Sequence, residues 1–289
     1  MKLNITLMQQ IRRDRLTLVS LFVVFFWGAV SFLPVLFPEL AYVEIDLPKT
    51  RQPPMVDFSQ PLGFFGYDTV GSSILLQIIN GAGVSLVVGG ATVLGALMVG
   101  VPLGAVAGYF GGRSDALVGR VMDVLLAFPP LVLPLAIAVF FGGGLWTIIF
   151  ALCAGGWIGS AKIVRAQFRA LKNADFVVAA TALGATPARI IFRHLLPSVV
   201  SPLTVHSTFT MAGAILAEAG LSFLGLGLGD GHVSWGGLLS EARAYLIESP
   251  HMAIFPSLSM LSLVLSLNFL GEALRVVLDP RQSSPLGGG

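Results

Sequence analysis

Apolar positions in this chain run in long unbroken stretches, and the polar positions gather in short segments between them. Neither the two-residue alternation of a half-buried strand nor the narrow stripe of an amphipathic surface helix dominates. Six stretches reach the roughly 20 residues that a helix needs to cross a hydrocarbon core of about 30 Å. They are residues 16–37, 84–109, 117–141, 145–164, 199–221 and 252–274. The pattern predicts an all-α polytopic membrane protein with six transmembrane helices. The first stretch is too long for a signal-peptide core and no small-residue cleavage site follows it, so it reads as an uncleaved span.

The organisation that follows has a short N-terminal segment (1–15), the first span (16–37), an outer segment (38–83), a five-helix block (84–278) and a tail (279–289). The outer segment holds Pro38, Pro48, Pro53, Pro54 and Pro61, which predicts an extended, irregular first part. Asp68-Thr69-Val70 is read as the start of a short helix through Ile79, with Ile74, Leu75, Ile78 and Ile79 on one apolar face. That helix either lies along the membrane surface or extends the second span. Gly100, Gly104 and Gly108 recur every four residues, a spacing that lets another helix backbone approach closely, either inside this subunit or at a subunit interface. Pro129, Pro130 and Pro134 interrupt the third span and predict a kinked helix, beside a pathway or simply bent in packing. Ser283 to Gly289 reads as a flexible end or cloning remnant and is given no functional weight.

Composition agrees with a lipid environment. Of 289 residues, 55% are hydrophobic and 11% charged, and the mean hydropathy is +0.86. Soluble domains carry about 25% charged residues to solvate their surface.

Net charge is only +2, but its placement orients the chain. With the N-terminus in the cytoplasm, Arg12, Arg13, Arg15, Arg113, Arg120, Lys162, Arg165, Arg169, Lys172, Arg189, Arg193, Arg275 and Arg281 lie in or beside cytoplasmic segments. Lys49, Arg51 and Arg243 fall outside, with the acids Glu39, Glu44, Asp46, Asp57, Asp68, Asp230, Glu241 and Glu248. A Lys/Arg excess in short loops marks the cytoplasmic side, so both termini are predicted inside.

The chain offers little for bond chemistry. Cys153 is its sole cysteine and reads as a small packing residue of the fourth span. His194, His206, His232 and His251 lack metal-ligand spacing, so no metal site is expected. There is no G-x-x-x-x-G-K-[ST] run to cradle a nucleotide. No nucleic-acid partner is expected.

The longest cytoplasmic connection, 166–197, is where structure is predicted outside the membrane. A helical run from Ala174 to Leu183 ends at Gly184, which is expected to take a left-handed conformation. Thr186 is placed as the N-cap of a second short helix, Pro187 as its first residue, and Pro197 at the start of the fifth span. Ala179 and Ala180 are small, which either leaves room for a partner's groove or reflects helix propensity alone.

The spacing Ala179-Ala180, then Gly184, then Leu196-Pro197 resembles the EAA loop of ABC importer permeases, with Val178 at the family's Glu position and His194 at its Ile position. His194 there, as HLLP, is similar to the peptide and nickel branch. Ala217-Glu218-Ala219-Gly220-Leu221-Ser222-Phe223-Leu224-Gly225-Leu226-Gly227 resembles that branch's EASLSFLGLG segment. Ser234-Trp235-Gly236 with Leu239-Ser240-Glu241-Ala242-Arg243 resembles SWG…LSEGR, and Asn268 to Arg275 closing in Leu278-Asp279-Pro280-Arg281 resembles NLLGDGLRDxLDPR. Four blocks in order identify the chain as similar to the C-type permease of dipeptide, oligopeptide and nickel importers. It departs from them around Pro61-Leu62-Gly63, where Phe64-Phe65-Gly66 is an apparent insertion, where Ser72-Ser73 replace Arg-Asp, and where Gly83 replaces an Arg.

The resemblance implies a non-catalytic permease subunit of the bacterial inner membrane. It would form half of a pathway with a homologous second permease, two ABC ATPases that hold ATP and Mg, and an outside solute-binding protein. The implied coupling residues are Ala179, Ala180, Gly184, Thr186, Pro187, His194 and Pro197; Glu218, Met211 and Pro130 are candidates for the pathway. Peptide is the first expectation for the solute and nickel or another small solute the second. The competing class is an ion-coupled secondary transporter, which wants ionisable groups near mid-membrane; Glu218 and Asp123 (with Arg120 as its partner) are the candidates. Glu218 reads equally as a hydrogen-bonded packing carboxylate. A membrane-embedded enzyme would need a nucleophile–base or metal constellation, which the sequence does not offer.

Overall fold

The computed structural model describes residues 15–55, 57, 61–229 and 232–278. Arg12, Arg13, Asp230, Arg281 and the tail 279–289 lie outside them, as does most of the N-terminal segment. Regular structure among the described residues is helical apart from one isolated bridge, between Tyr67 and Ser73. In chain order the helices are α1 (Arg15–Leu36), α2 (Ile74–Phe110), α3 (Gly112–Leu126), α4 (Val132–Phe141) and α5 (Leu145–Leu171). They continue as α6 (Asp175–Ala182), α7 (Pro187–Ile190), α8 (Leu196–Phe223), α9 (Trp235–Ala242) and α10 (His251–Leu278). Five helical stretches are long and apolar enough to cross a membrane: α1, α2, α5, α10 and the Pro187–Phe223 run that ends in α8.

The expected third span, 117–141, is not one helix. It divides into α3 and α4 around Ala127–Leu131, because Pro129, Pro130 and Pro134 cannot donate to the carbonyls of Leu125, Leu126 and Pro130. The expected helix start at Asp68 is also corrected. Asp68 instead accepts the N–H groups of Val70 and Ser72 at 2.9 and 2.7 Å, closing a turn, and takes the Gln77 side-chain amide on its other oxygen at 2.5 Å. Ser73 is the N-cap, and from there a single helix of 37 residues continues to Phe110. Of the two readings of Ile74–Ile79, extension of the second span is the one observed.

The centre of the fold is the pairing of α2 with α5. Gly100 faces Trp157 and Ala161, Gly104 faces Ala161 and Val164, and Gly108 faces Arg165 and Phe168. Each four-residue step on α2 meets a four-residue step on α5, so the two helices run parallel with backbones in close approach. The four-residue glycine repeat is used for packing within this chain. Cys153, on the same face of α5, lies 3.9 and 3.8 Å from the carbonyls of Ala91 and Thr92. It fills space between the two helices.

Toward the acidic end, Trp235 is fully buried, donates its indole N–H to the Ile78 carbonyl at 3.0 Å and meets Trp27 edge-on at a centroid distance of 4.9 Å. Trp27 in turn donates to Ser262 at 2.8 Å. These contacts tie α1, α2, α9 and α10 into one hydrophobic core. The Ser-Trp-Gly signature has a packing reason: Ser234 caps α9 by accepting from Gly237 N–H, Trp235 plugs the core, and Gly236 lies against the backbone of Ala219 on α8. Residues 38–55 and 61–73 fold over this end. Arg51 pairs with Glu248 at 2.8 Å, Thr69 bonds Glu241, and Phe65 of the apparent insertion stacks on Phe255 at 4.2 Å.

At the opposite, basic end, Asp115 near the start of α3 binds Arg165 at 2.5 Å and Arg169 at 3.0 Å, pinning α3 to α5. The hydrogen bond from Arg165 holds the Asp115 carboxyl below the usual carboxylate range, against the opposing effect of its burial. A depressed folded-state pKa stabilises above the unfolded value of about 3.9 and is lost as pH falls through the folded value. At neutral pH the pair is fully formed, so Asp115→Asn should lower the melting temperature of the purified complex. The expected loss is about 1 kcal/mol, small because Arg169 is half-exposed and screened. The gap between variant and wild type should close on acidification toward pH 3; a gap that persists there would show that packing at Asp115, rather than its charge, sets its contribution.

Candidate functional site

Two features at the basic end and mid-chain depth stand apart from ordinary packing. The first is a hairpin of α6 and α7. Helix α6 ends in a paired closure: Gly184 N–H bonds the Thr181 carbonyl at 2.9 Å and Ala185 N–H bonds the Ala180 carbonyl at 3.0 Å. This geometry requires a left-handed residue at the corner, and Gly184 supplies it with φ of +81°. Thr186 then caps α7 by accepting from Arg189 N–H, with Pro187 at the first helical position. Residues Ile191–Leu195 form a π-helical turn that includes His194 and feeds α8, whose first turn holds Pro197.

The hairpin is anchored on one side only. Val177, Ile190 and Leu195 are buried among Val164, Phe168, Val199 and Leu203, in a core that joins the hairpin to α5 and α8. The other side of α6 is open: Phe176 (47% exposed), Ala179, half-buried Ala180 and, just past the helix end, Leu183 (90% exposed) fall at positions i, i+3, i+4 and i+7, one helical stripe. Val178, where the family has Glu, is 57% exposed and adds to this apolar surface. An exposed apolar stripe on a helix held firmly from behind is suited to insertion into a groove.

The second feature is a cavity of about 360 Å³ where α3 breaks into α4. Pro129, Pro130 and Pro134 line it from the break, Thr92 from α2, Gly155 and Gly156 from α5, and Thr210 and Gly213 from α8. Thr92 is the central residue of α2, about 27 Å from either end at 1.5 Å per residue, so the cavity lies at mid-depth.

Of the three residues expected on a pathway, Pro130 alone lines this cavity. Met211 packs against Gly89 on α2 and joins the outer core. Glu218 is 1% exposed; its Oε1 accepts from Ser222 at 2.7 Å. The Ser234 hydroxyl lies beside the same carboxylate, and Oε2 has no hydrogen-bond partner among the described residues. Asp123 is exposed and forms no ion pair among the described residues, so the expected Arg120 partnership is not made. The two carboxylates do not converge on one site, since Asp123 faces outward on α3 and Glu218 is enclosed at the far end of α8. Sequence reasoning missed Thr92, Thr210, Gly155 and Gly213, because small and hydroxyl residues in a span carry no charge to single them out.

Residues 100–284 match the family described as binding-protein-dependent transport system inner membrane component. The chain is 34% identical over 276 residues to a dipeptide transport system permease protein, DppC, of Alkalihalophilus pseudofirmus, covering 96% of this chain and 89% of that one. It is 33% identical over 274 residues to an oligopeptide transport system permease protein, OppC, of Bacillus subtilis, covering 95% and 88%. It is 38% identical over 221 residues to a glutathione transport system permease protein, GsiD, of Pectobacterium atrosepticum, covering 76% and 73%. Among solved structures, a chain of the MetNI methionine ABC transporter in an inward-facing conformation superposes with a TM-score of 0.59 at 19% identity, over 71% of this chain and 97% of that one. That likeness is one of fold.

Proposed function

The chain belongs to the family of binding-protein-dependent transport system inner membrane components, and from that membership we propose that it forms half of the membrane pathway of an ATP-driven peptide importer. Peptide is the solute because the relatives matched over nearly the whole chain are named for dipeptide and oligopeptide transport. It works in the bacterial inner membrane beside a second, homologous permease, with two ABC ATPases inside and a solute-binding protein outside. The chain performs no bond chemistry; ATP and Mg are held by the ATPases.

The observation that carries this reading is the hairpin, an apolar stripe on α6 backed by a buried core that runs into α5 and α8. A groove on an ATPase closing around that stripe would move both helices together and tilt the bundle between inward- and outward-open states. Six crossings are proposed, with α3 and α4 together making the third, and both termini cytoplasmic. Basic residues at the hairpin end support that orientation.

Two measurements test the proposal. Deleting the gene in its native host should abolish uptake of labelled di- and tripeptides, and a plasmid copy should restore it. In intact cells a membrane-impermeant thiol reagent should label Lys49→Cys and Arg243→Cys but spare Arg169→Cys, all in a Cys153→Ala background. Labelling at position 169 would overturn the orientation. Peptide uptake by the reconstituted single chain, driven by an ion gradient without ATPases, would replace the importer with a secondary transporter.

A further inference from the structure

We propose that the cavity at the α3–α4 break receives the peptide by its N–H groups, through backbone-carbonyl and hydroxyl acceptors and with no charged contact. This rests on the peptide-importer reading and adds the chemistry by which the pathway holds its solute.

The break supplies the acceptors. The Leu126 carbonyl is followed at i+3 and i+4 by Pro129 and Pro130, neither of which has an N–H to offer. The Pro130 carbonyl meets Pro134 at i+4 and loses its helical donor in the same way. Leu126 and Pro130 both line the cavity. Irregular backbone at membrane depth persists where a cavity or neighbours satisfy it, and here it borders a cavity.

Thr92 makes the second, independent observation. It lines the same cavity and is 2% exposed, yet its Oγ1 has no hydrogen-bond partner among the described residues. A helical Thr ordinarily bonds back to a carbonyl one turn earlier, as Thr181 and Thr204 do in this chain. An orphan hydroxyl at mid-depth is costly unless a ligand engages it for part of the cycle. Across the cavity Thr210 adds a second hydroxyl; its proton goes to the His206 carbonyl at 2.9 Å and one lone pair faces His206 Nε2 at 3.3 Å, which leaves one for a donor in the cavity.

Among the described residues, no Asp, Glu, Lys or Arg lines the cavity. An uncharged, mostly apolar lining with a few acceptors matches what every peptide shares, its amide and terminal-ammonium donors, and ignores the side-chain charges by which peptides differ. Two glycines keep the space clear. A side chain at Gly213 would meet nothing within 4 Å, and one at Gly155 only the tip of Leu133 at 3.9 Å.

The test uses the complete complex of this chain with its partner subunits, in a Cys153→Ala background. Cysteine placed at Gly213 or Gly155 projects into the void, and its labelling rate is read with triglycine or with trisarcosine, whose amides are N-methylated and cannot donate. Triglycine should slow labelling about tenfold and trisarcosine far less at the same concentration, the gap expected when the cavity's acceptors are left unpaired. Adding Thr92→Val should weaken triglycine protection while leaving the peptide-free labelling rate unchanged. Equal protection by the two peptides would overturn recognition through amide N–H donors, since both keep a terminal ammonium. Absence of protection in a complex that imports triglycine would remove the cavity from the pathway. Loss of co-purification of the second permease on Gly213→Leu would make the cavity a subunit interface and overturn the proposal. A wild-type complex that imports no peptide would sink the peptide reading itself, and this proposal with it.

Discussion

Replacing Ala180 by Trp is expected to abolish peptide uptake and peptide-stimulated ATP hydrolysis while the protein remains in the membrane at its normal level. Ala180, itself half-buried, lies mid-way along the apolar stripe of α6, between Phe176 and Leu183, on a helix whose buried contact is Val177. An indole there leaves the anchoring core of Phe168, Ile190 and Leu195 untouched. It stands in the space a groove would occupy, so the loss is one of docking and not of folding.

Gly184→Val should reach the same phenotype by another route. The corner has φ of +81° and nothing lies within 4 Å of a Cβ built there, so any effect must come through the backbone. A β-branched residue held left-handed costs about 1–3 kcal/mol, and relieving that strain re-aims α6 against α7. Gly184→Ala should be intermediate. The readouts are uptake, ATPase rate of the reconstituted complex and co-purification of the ATPases. Wild-type uptake in both Ala180→Trp and Gly184→Val would reduce the hairpin to a connector.

The sequence was most legible where local chemistry decides structure. The corner at Gly184 and the cap at Thr186 with Pro187 follow from rules that involve a few adjacent residues, and the backbone obeys them. Five of the six long apolar stretches coincide with helices long and apolar enough to cross a membrane for a similar reason: length and hydropathy are enough. Their ends were less legible, because polar residues with internal partners extend helices beyond the apolar run. Fourth-span helix α5 continues past Val164 to Leu171, with Arg165 and Arg169 satisfied by Asp115.

The start of α2 shows the limit of capping rules. Asp68 and Ser73 are both good N-caps by residue type; only the turn formed by residues 68–73 commits Asp68 to Val70, Ser72 and Gln77. Glu218 and Met211 show the limit of conspicuousness. A carboxylate and a thioether in a span draw attention, yet one is enclosed beside Ser222 and the other seals a glycine on α2. The cavity is lined instead by threonines and glycines from four helices that only tertiary packing brings together.

Gly104→Leu is expected to prevent accumulation of the protein in the membrane altogether. A Cβ at Gly104 would meet the Ala161 carbonyl oxygen at 2.5 Å, Val164 Cβ at 2.9 Å and Ala161 Cα at 3.0 Å. Two of these three atoms belong to the α5 backbone and cannot rotate aside, so the helices themselves must part. Parting them at Gly104 also disturbs the matching steps at Gly100 and Gly108, since one parallel pairing carries all three. Overpacking a core costs about 1–3 kcal/mol where side chains can yield, and more is expected where backbone must move. A loss of that size lowers cellular abundance several-fold or more. The matched control is Gly90→Leu on the same helix, where a Cβ meets nothing within 4 Å and the substitution should be tolerated. Immunoblots of washed membranes, with partner subunits co-expressed, compare the two. Equal accumulation of both variants would mean that the α2–α5 pairing does not hold this bundle together.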